Sequence, residues 1–142
     1  MIYIIQKCEY FNIKELVPEH IYNKYKEKAW QFFDINVLIT LDALRRRFGP
    51  LIVNNWASGG EFSERGLRSL DYGGIFNRSL HKHGKAIDLH SNKYTAEEMR
   101  SYIIDNPKEF EHIKCLEMGV NWLHFDTRNR RAEDGIFLVY PK

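Results

Sequence analysis

The chain has 142 residues, of which 44% are hydrophobic and 28% are charged, and its formal net charge is +2 at pH 7. This length suits one domain with its own core and is too short for two ordinary ones, so we predict a single domain over residues 1–142. The near-average composition argues against disordered and fibrous proteins, and the small net charge argues against nucleic acid as a partner.

The chain shows no targeting or membrane signal. It starts MIYIIQKCEY, in which an apolar run of five residues ends at Gln6, too short for the hydrophobic region of a secretory signal. No stretch approaches the length of a transmembrane helix. We therefore expect synthesis in the cytoplasm without a signal peptide, and no membrane insertion. Cys8 and Cys115 lie far apart and form no CxxC pattern, which favours reduced thiols.

The first third of the chain is predicted to be mostly helical. Residues 2–5 are rich in β-formers and indicate a short edge strand. Residues 13–33 mix charges with aromatic residues and predict short N-terminal helices. Asp34 is the predicted N-cap of the most regular helix, whose apolar residues recur every three or four positions until Gly49 and Pro50 end it.

The remainder is predicted to contain most of the strands and one more helix. Strands are predicted at residues 51–56, 85–90, 113–117, 121–126 and 135–140. Thr95 and Glu98 form a capping box that starts a helix ending near Asp105. Residues 118–121 predict a hairpin turn. The predicted fold class is α+β, with a small antiparallel sheet and helices packed on one side.

Two short stretches concentrate the potential metal ligands. The stretch SLHKHGKAID with the two residues after it contains four of them: His81, His83, Asp88 and His90. The stretch WLHFD adds His124 and Asp126. Zinc in a hydrolase typically takes three protein ligands from His, Asp or Glu and leaves a fourth position for water. We predict that both stretches meet around one zinc ion, with His81 and Asp88 from the first and His124 from the second.

These stretches also resemble a known family. SLHKHGKAID matches the pattern Ser-x-His-x-x-Gly-x-Ala-x-Asp of the zinc D-Ala-D-Ala carboxypeptidases and dipeptidases, a group that includes phage endolysins cutting peptidoglycan stem peptides. WLHFD is similar to the second signature of that family, and NNWASGG also looks like one branch of it. The resemblance covers most of the chain after about Asp34. It implies a hedgehog/DD-peptidase-like fold and a zinc ion held by His81, Asp88 and His124.

The resemblance also implies roles for further residues. Arg68 resembles the family arginine that meets a substrate carbonyl or carboxylate near the metal, and Ser79 would steady the ligand loop on the substrate side. Trp122 is a candidate wall of the substrate cleft. Many members place a glutamate three residues before the last histidine as general base, but this chain has Asn121 at that position.

Two other carboxylates are therefore candidates for the general base. A hairpin at residues 118–121 would place Glu117 opposite Trp122 and diagonal to His124, at about 7 Å or less between Cβ atoms. Asp126 lies two residues from His124 and shares its face of the strand. Hedgehog-like relatives carry a glutamate several residues before the ligand histidine, which favours Glu117 and leaves Asp126 as a partner of the centre or an alternative base.

The predicted function is hydrolysis of an amide bond in the peptidoglycan stem peptide or its cross-link. We expect an enzyme of phage origin that reaches the cell wall after release or from a virion, with a monomer as the simplest oligomeric state. Whether it is a carboxypeptidase or an endopeptidase depends on whether the loop at residues 57–77 closes one end of the cleft. A non-catalytic zinc-binding structural or interaction module is the alternative, and Asn121 keeps it open.

Overall fold

A computed structural model describes residues 5–141, in which most of the helices come first and three of the four strands come last. The α-helices are α1 (Glu19–Tyr25), α2 (Ile35–Phe48) and α3 (Ala96–Asp105). The strands are β1 (Ala86–Leu89), β2 (Cys115–Glu117), β3 (Leu123–Asp126) and β4 (Phe137–Val139). Five 3-10 segments complete the elements: Ile13–Glu15, Lys26–Phe32, Trp56–Ser58, Leu80–His83 and Ala132–Asp134. The predicted α+β class is confirmed, and residues 13–32 contain one α-helix and two 3-10 segments.

The four strands form one mixed sheet in the order β1, β3, β2, β4. Strand β3 is antiparallel to β1 and to β2, whereas β4 runs parallel to β2. The prediction of an antiparallel sheet is therefore wrong for this last pair. Because β3 already has neighbours on both sides, β4 pairs at the edge of β2, and the crossover through residues 127–136 brings it there in the parallel direction.

The strand predicted at residues 51–56 is also wrong, apart from one isolated bridge between Ile52 and His90. Arg65 occupies the next position along the outer edge of β1, since its carbonyl accepts the amide hydrogen of Asp88 at 2.7 Å. This contact leaves no room for a longer strand beside β1. Residues 2–4 of the predicted N-terminal strand lie outside the described residues, and Ile5 belongs to no strand.

The predicted limits of α2 and α3 are confirmed by their capping contacts. The Asp34 carboxylate accepts the amide hydrogen of Asn36 at 3.1 Å, and α2 ends at Gly49 with a φ of 78°. Thr95 and Glu98 make the reciprocal side-chain to backbone bonds of a capping box at the start of α3. Within residues 5–141, no helix combines the length and the apolar character that crossing a membrane requires.

The loop before β1 is anchored to the N-terminal part of the chain through Gly84. This glycine has a φ of 66°, and a Cβ there would collide with the backbone of Phe32 and Phe33. Its carbonyl accepts the amide hydrogen of Asp34 at 3.1 Å. Only glycine combines this backbone conformation with so close an approach. The 3-10 segment Leu80–His83 is therefore held against the segment that leads into α2.

Candidate metal centre

His81, Asp88 and His124 meet at one point although they come from three elements. His81 lies in the 3-10 segment before β1, and Asp88 in β1 is the direct cross-strand partner of His124 in β3. One ligand atom of each lies within 4.8 Å of the others. The three residues predicted as ligands are therefore brought together, and this group could hold a metal ion. His83, on the same 3-10 segment, is exposed and outside the group.

Hydrogen bonds orient the His81 ring towards Asp88. Nδ1 of His81 donates to the carbonyl oxygen of Gly66 at 2.9 Å, and because a carbonyl only accepts, the ring hydrogen must be on Nδ1. Nε2, the ring nitrogen left for a metal ion, lies 3.4 Å from a carboxylate oxygen of Asp88. An imidazole nitrogen and a carboxylate oxygen this close together can bind the same cation.

The His124 ring lies between two carboxylates. Its Nδ1 is 2.7 Å from Asp88 Oδ1, and its Nε2 is 3.5 Å from Asp126 Oδ2. Burial lowers the pKa of His124, but the hydrogen bonds with Asp126 and Asp88 outweigh this and raise the pKa to about 9. Burial has the opposite effect on Asp88 and raises its pKa, but the hydrogen bonds with His124 and His81 outweigh burial and hold this pKa well below its usual range. Without a metal ion, the cluster therefore keeps a proton on each nitrogen of His124.

The Glu117 carboxylate approaches Nδ1 of His124, the ring nitrogen that Asp88 also contacts. The pairing of β2 with β3 sets Leu116 opposite Phe125, so continuing this register brings Glu117 level with His124. The predicted position opposite Trp122 is wrong by two residues, because residues 118–122 all lie between the strands and lengthen the turn. A register shift of two residues leaves the Glu117 side chain on the predicted face of the sheet, because side chains alternate between the two faces with a period of two. Glu117 Oε2 lies 3.8 Å from Nδ1 of His124.

Asp126 lies on the other side of His124 and has its own cation. Arg128 donates from Nε to Oδ1 and from Nη2 to Oδ2 of Asp126, both at 2.8 Å. Burial raises the pKa of Asp126, but the bonds with Arg128 and His124 outweigh it and hold the pKa well below its usual range. The Asp126 side chain is 1% exposed and that of Glu117 is 24% exposed. Asp126 therefore supports the His124 ring from behind, and Glu117 is the more accessible carboxylate.

Two further predicted residues adjoin the centre. Arg68 places Nη2 3.4 Å from Asp88 Oδ2, while its Nε donates to the carbonyl of Glu64 at 2.7 Å. Ser79 accepts the amide hydrogen of His81 on its Oγ at 3.3 Å and caps the 3-10 segment. Arg68 is thus positioned beside the metal ligands, whereas Ser79 stabilises the ligand loop and does not line the cleft.

A cleft of about 790 Å³ begins at Asp88 and extends towards the start of α3. Its lining residues are Phe62, Arg65, Asp88, His90, Ser91, Tyr94, Thr95, Ala96, Glu97, Arg100, Val120, Asn121 and Trp122. Trp122, predicted as a wall of the cleft, lies in this lining, as does Asn121. The cleft is large enough for a short peptide, and Asp88 is the candidate metal ligand that forms part of its lining.

Sequence reasoning missed the buried Arg100 in the cleft wall. This residue is 2% exposed and donates from Nη1 to the carbonyl of Trp122 and from Nη2 to Glu97, both at 3.0 Å. It thereby ties α3 to the turn before β3. A signal was present, because Arg100 follows Met99 and precedes Ile103 on the buried face of α3.

Comparisons with protein families, with curated proteins and with solved structures find no match for this chain. Function must therefore be inferred from the residues of the metal centre and the cleft. The strongest observation is that ligands from two separate stretches converge beside an accessible carboxylate and an open cleft.

Proposed function

We propose that this protein is a zinc-dependent peptidase that hydrolyses an amide bond of the peptidoglycan stem peptide or its cross-link. The observation that carries the proposal is the convergence of His81, Asp88 and His124 next to the Glu117 carboxylate. Two imidazoles and one carboxylate are the donor set of many catalytic zinc sites, in which a fourth position stays open for water. The motif resemblance supports the substrate class and a hedgehog/DD-peptidase-like fold.

Each residue of the centre has a chemical task in this proposal. Bound zinc would supply a water molecule with a pKa of about 7 and would polarise the scissile carbonyl. Glu117 takes the proton of the attacking water and returns it to the leaving amine. Arg68 holds the substrate carbonyl or carboxylate through its guanidinium. Asp126 fixes the His124 ring, and the Gly66 carbonyl fixes His81.

The second candidate is a non-catalytic zinc-binding module, and Asn121 favours it. This residue lines the cleft at the position where many members of the resembling family carry the catalytic glutamate. An amide cannot accept the proton of the attacking water at neutral pH. The two candidates therefore differ in whether Glu117 performs the proton transfer.

The zinc affinity is expected to depend on pH through His124. Its pKa of about 9 means that one proton must leave Nδ1 when zinc binds at neutral pH. The apparent affinity should rise about tenfold per pH unit between pH 7 and pH 8 and level off above pH 9. Titration against a competing chelator measures this slope. His112→Gln, a change outside the centre, should keep the same slope, and an affinity that stays constant from pH 7 to pH 9 would contradict the protonated state of His124.

Mass spectrometry of digested wall fragments tests the proposed activity and names the bond. Zinc-loaded protein should convert purified peptidoglycan fragments into products that together gain one water, with a new amine and a new carboxylate. Chelation should stop the reaction and added zinc should restore it. A fragment profile that zinc-loaded protein leaves unchanged, or hydrolysis that is indifferent to chelation, would eliminate a zinc peptidase. We further propose that the protein is a phage enzyme that reaches the cell wall after release from the host cytoplasm or from a virion.

A further inference from the structure

The cleft contains one arginine, Arg65, whose guanidinium forms no ion pair among the described residues. Of the other charged residues in its lining, Arg100 pairs with Glu97, and Asp88 contacts His81, His124 and Arg68. The guanidinium of Arg65 instead bonds to a neutral acceptor, Nδ1 of His90, at 2.8 Å. A partly buried cation that no carboxylate contacts is costly, and an anion bound from solution would offset that cost.

Arg65 is held in place by contacts to its backbone and its side chain. Its amide donates to the side chain of Asn54 at 3.0 Å, and its carbonyl accepts from Asp88 at 2.7 Å. Its Cζ lies 4.2 Å from the centroid of the Phe62 ring. Burial lowers the pKa of Arg65 more than the nearby charge of Asp88 raises it. The guanidinium is therefore partly desolvated and fixed before any ligand arrives, which reduces the entropy cost of binding.

His90 extends the donor surface of Arg65. Because arginine only donates, Nδ1 of His90 must be the acceptor, so the ring hydrogen is on Nε2. The ring packs with its edge to Phe62, with 5.6 Å between the centroids. Arg65 and His90 thus offer N–H groups and no acceptor to a ligand. A carboxylate matches such a surface, because its two oxygens can accept from a planar guanidinium side by side.

We propose that Arg65 and His90 form a carboxylate-binding subsite of the cleft. The preferred substrate is then a peptide with a free carboxylate close to the scissile amide. This substrate class rests on the proposed peptidase function, but the carboxylate subsite can be measured by binding alone. This subsite is separate from Arg68, which lies beside Asp88 and is not part of the cleft lining.

The test compares the binding of peptides that differ in a single carboxylate. Binding is measured by calorimetry with the full chain freed of metal, so that neither hydrolysis nor zinc contributes to the affinity. The first pair is N-acetyl-L-lysyl-D-alanyl-D-alanine and its C-terminal amide. The second pair is N-acetyl-L-alanyl-γ-D-glutamyl-L-lysinamide and the form with D-isoglutamine. The first pair reports a terminal carboxylate and the second a carboxylate inside the stem peptide. The acid form of one pair should bind about tenfold or more tightly than its amide.

Arg65→Gln should abolish this preference, while Arg46→Gln should retain it. Arg46 is an exposed arginine of α2, so its change removes the same charge away from the cleft. Thermal unfolding verifies that the variants are folded, and Arg65→Lys, which keeps the charge but loses the planar fork, should retain only part of the preference. Equal binding of acid and amide in both pairs, absence of binding, or an undiminished preference in Arg65→Gln would overturn the subsite.

The subsite and the peptidase activity can fail separately. If zinc-loaded protein hydrolyses wall fragments but binds acid and amide peptides equally, the subsite is wrong and the peptidase proposal stands. If it discriminates the carboxylate through Arg65 but hydrolyses nothing, the peptidase proposal is wrong and the subsite belongs to a binding module.

Discussion

His81→Ala is expected to remove both zinc binding and hydrolysis. His81 contributes one of three ligand atoms, and its ring is already aligned by the bond to Gly66. Changes to residues that only support a ligand cost 10–100-fold in metal affinity, and loss of the ligand itself should cost at least about a hundredfold. Zinc content after dialysis and the rate of wall-fragment hydrolysis measure the two effects.

His83→Ala is the matched control for this change. His83 belongs to the same 3-10 segment, two residues from His81, but is exposed and lies outside the ligand group. We expect it to keep about one zinc per chain and unchanged hydrolysis. If His81→Ala retained zinc and full activity, the proposed metal centre would be wrong.

Glu117→Gln is expected to lower hydrolysis strongly while leaving the metal bound. The change keeps the size of the side chain but removes the group that accepts a proton, 3.8 Å from Nδ1 of His124. Loss of a general base typically costs a factor of about 10²–10⁴ in rate. Parallel measurements of zinc content and of the rate of hydrolysis separate this effect from loss of the metal.

Asp126→Asn gives the comparison for Glu117→Gln. Asp126 accepts two hydrogen bonds from the guanidinium of Arg128, so its neutralisation should mainly lower the free energy of unfolding, by about 2 kcal/mol. If folded, zinc-bound Asp126→Asn lost hydrolysis while Glu117→Gln kept it, the base would be Asp126. If both variants retained zinc and neither changed any hydrolysis, the non-catalytic module would be the better description.

The features that sequence predicted correctly depend on residues close together along the chain. The limits of α2 and α3 follow from local caps, namely Asp34 and Gly49 for α2 and the Thr95–Glu98 pair for α3. The ligand group was also predictable, because the motif resemblance selected His81, Asp88 and His124 among the nearby histidines and carboxylates. Its assembly required β1 and β3 to be neighbours and the 3-10 segment of His81 to be held beside them.

The features that sequence did not predict depend on choices between distant partners. The parallel position of β4 follows from β3 being paired on both sides, which no pattern within residues 135–140 indicates. The register of Glu117 depends on the length of the turn around Gly119, and the local residues do not fix it. Arg65 replaced the expected strand beside β1 through one backbone hydrogen bond to Asp88, a contact without a sequence signature.

The close backbone contacts of the N-terminal segment bear on how far the metal centre can be treated as a separate module. Leu16 accepts the amide hydrogen of Leu67 at 2.8 Å, and a Cβ on Gly66 would collide with the Leu16 carbonyl. Gly66 in turn aligns His81, and Gly84, on the far side of His81, rests on Phe32. Both supports of this ligand thus come from residues before Asp34, whereas all three candidate ligands lie after it. A fragment or chimera that carried only the motif-bearing residues would keep all three ligands but lose the surface that aligns one of them.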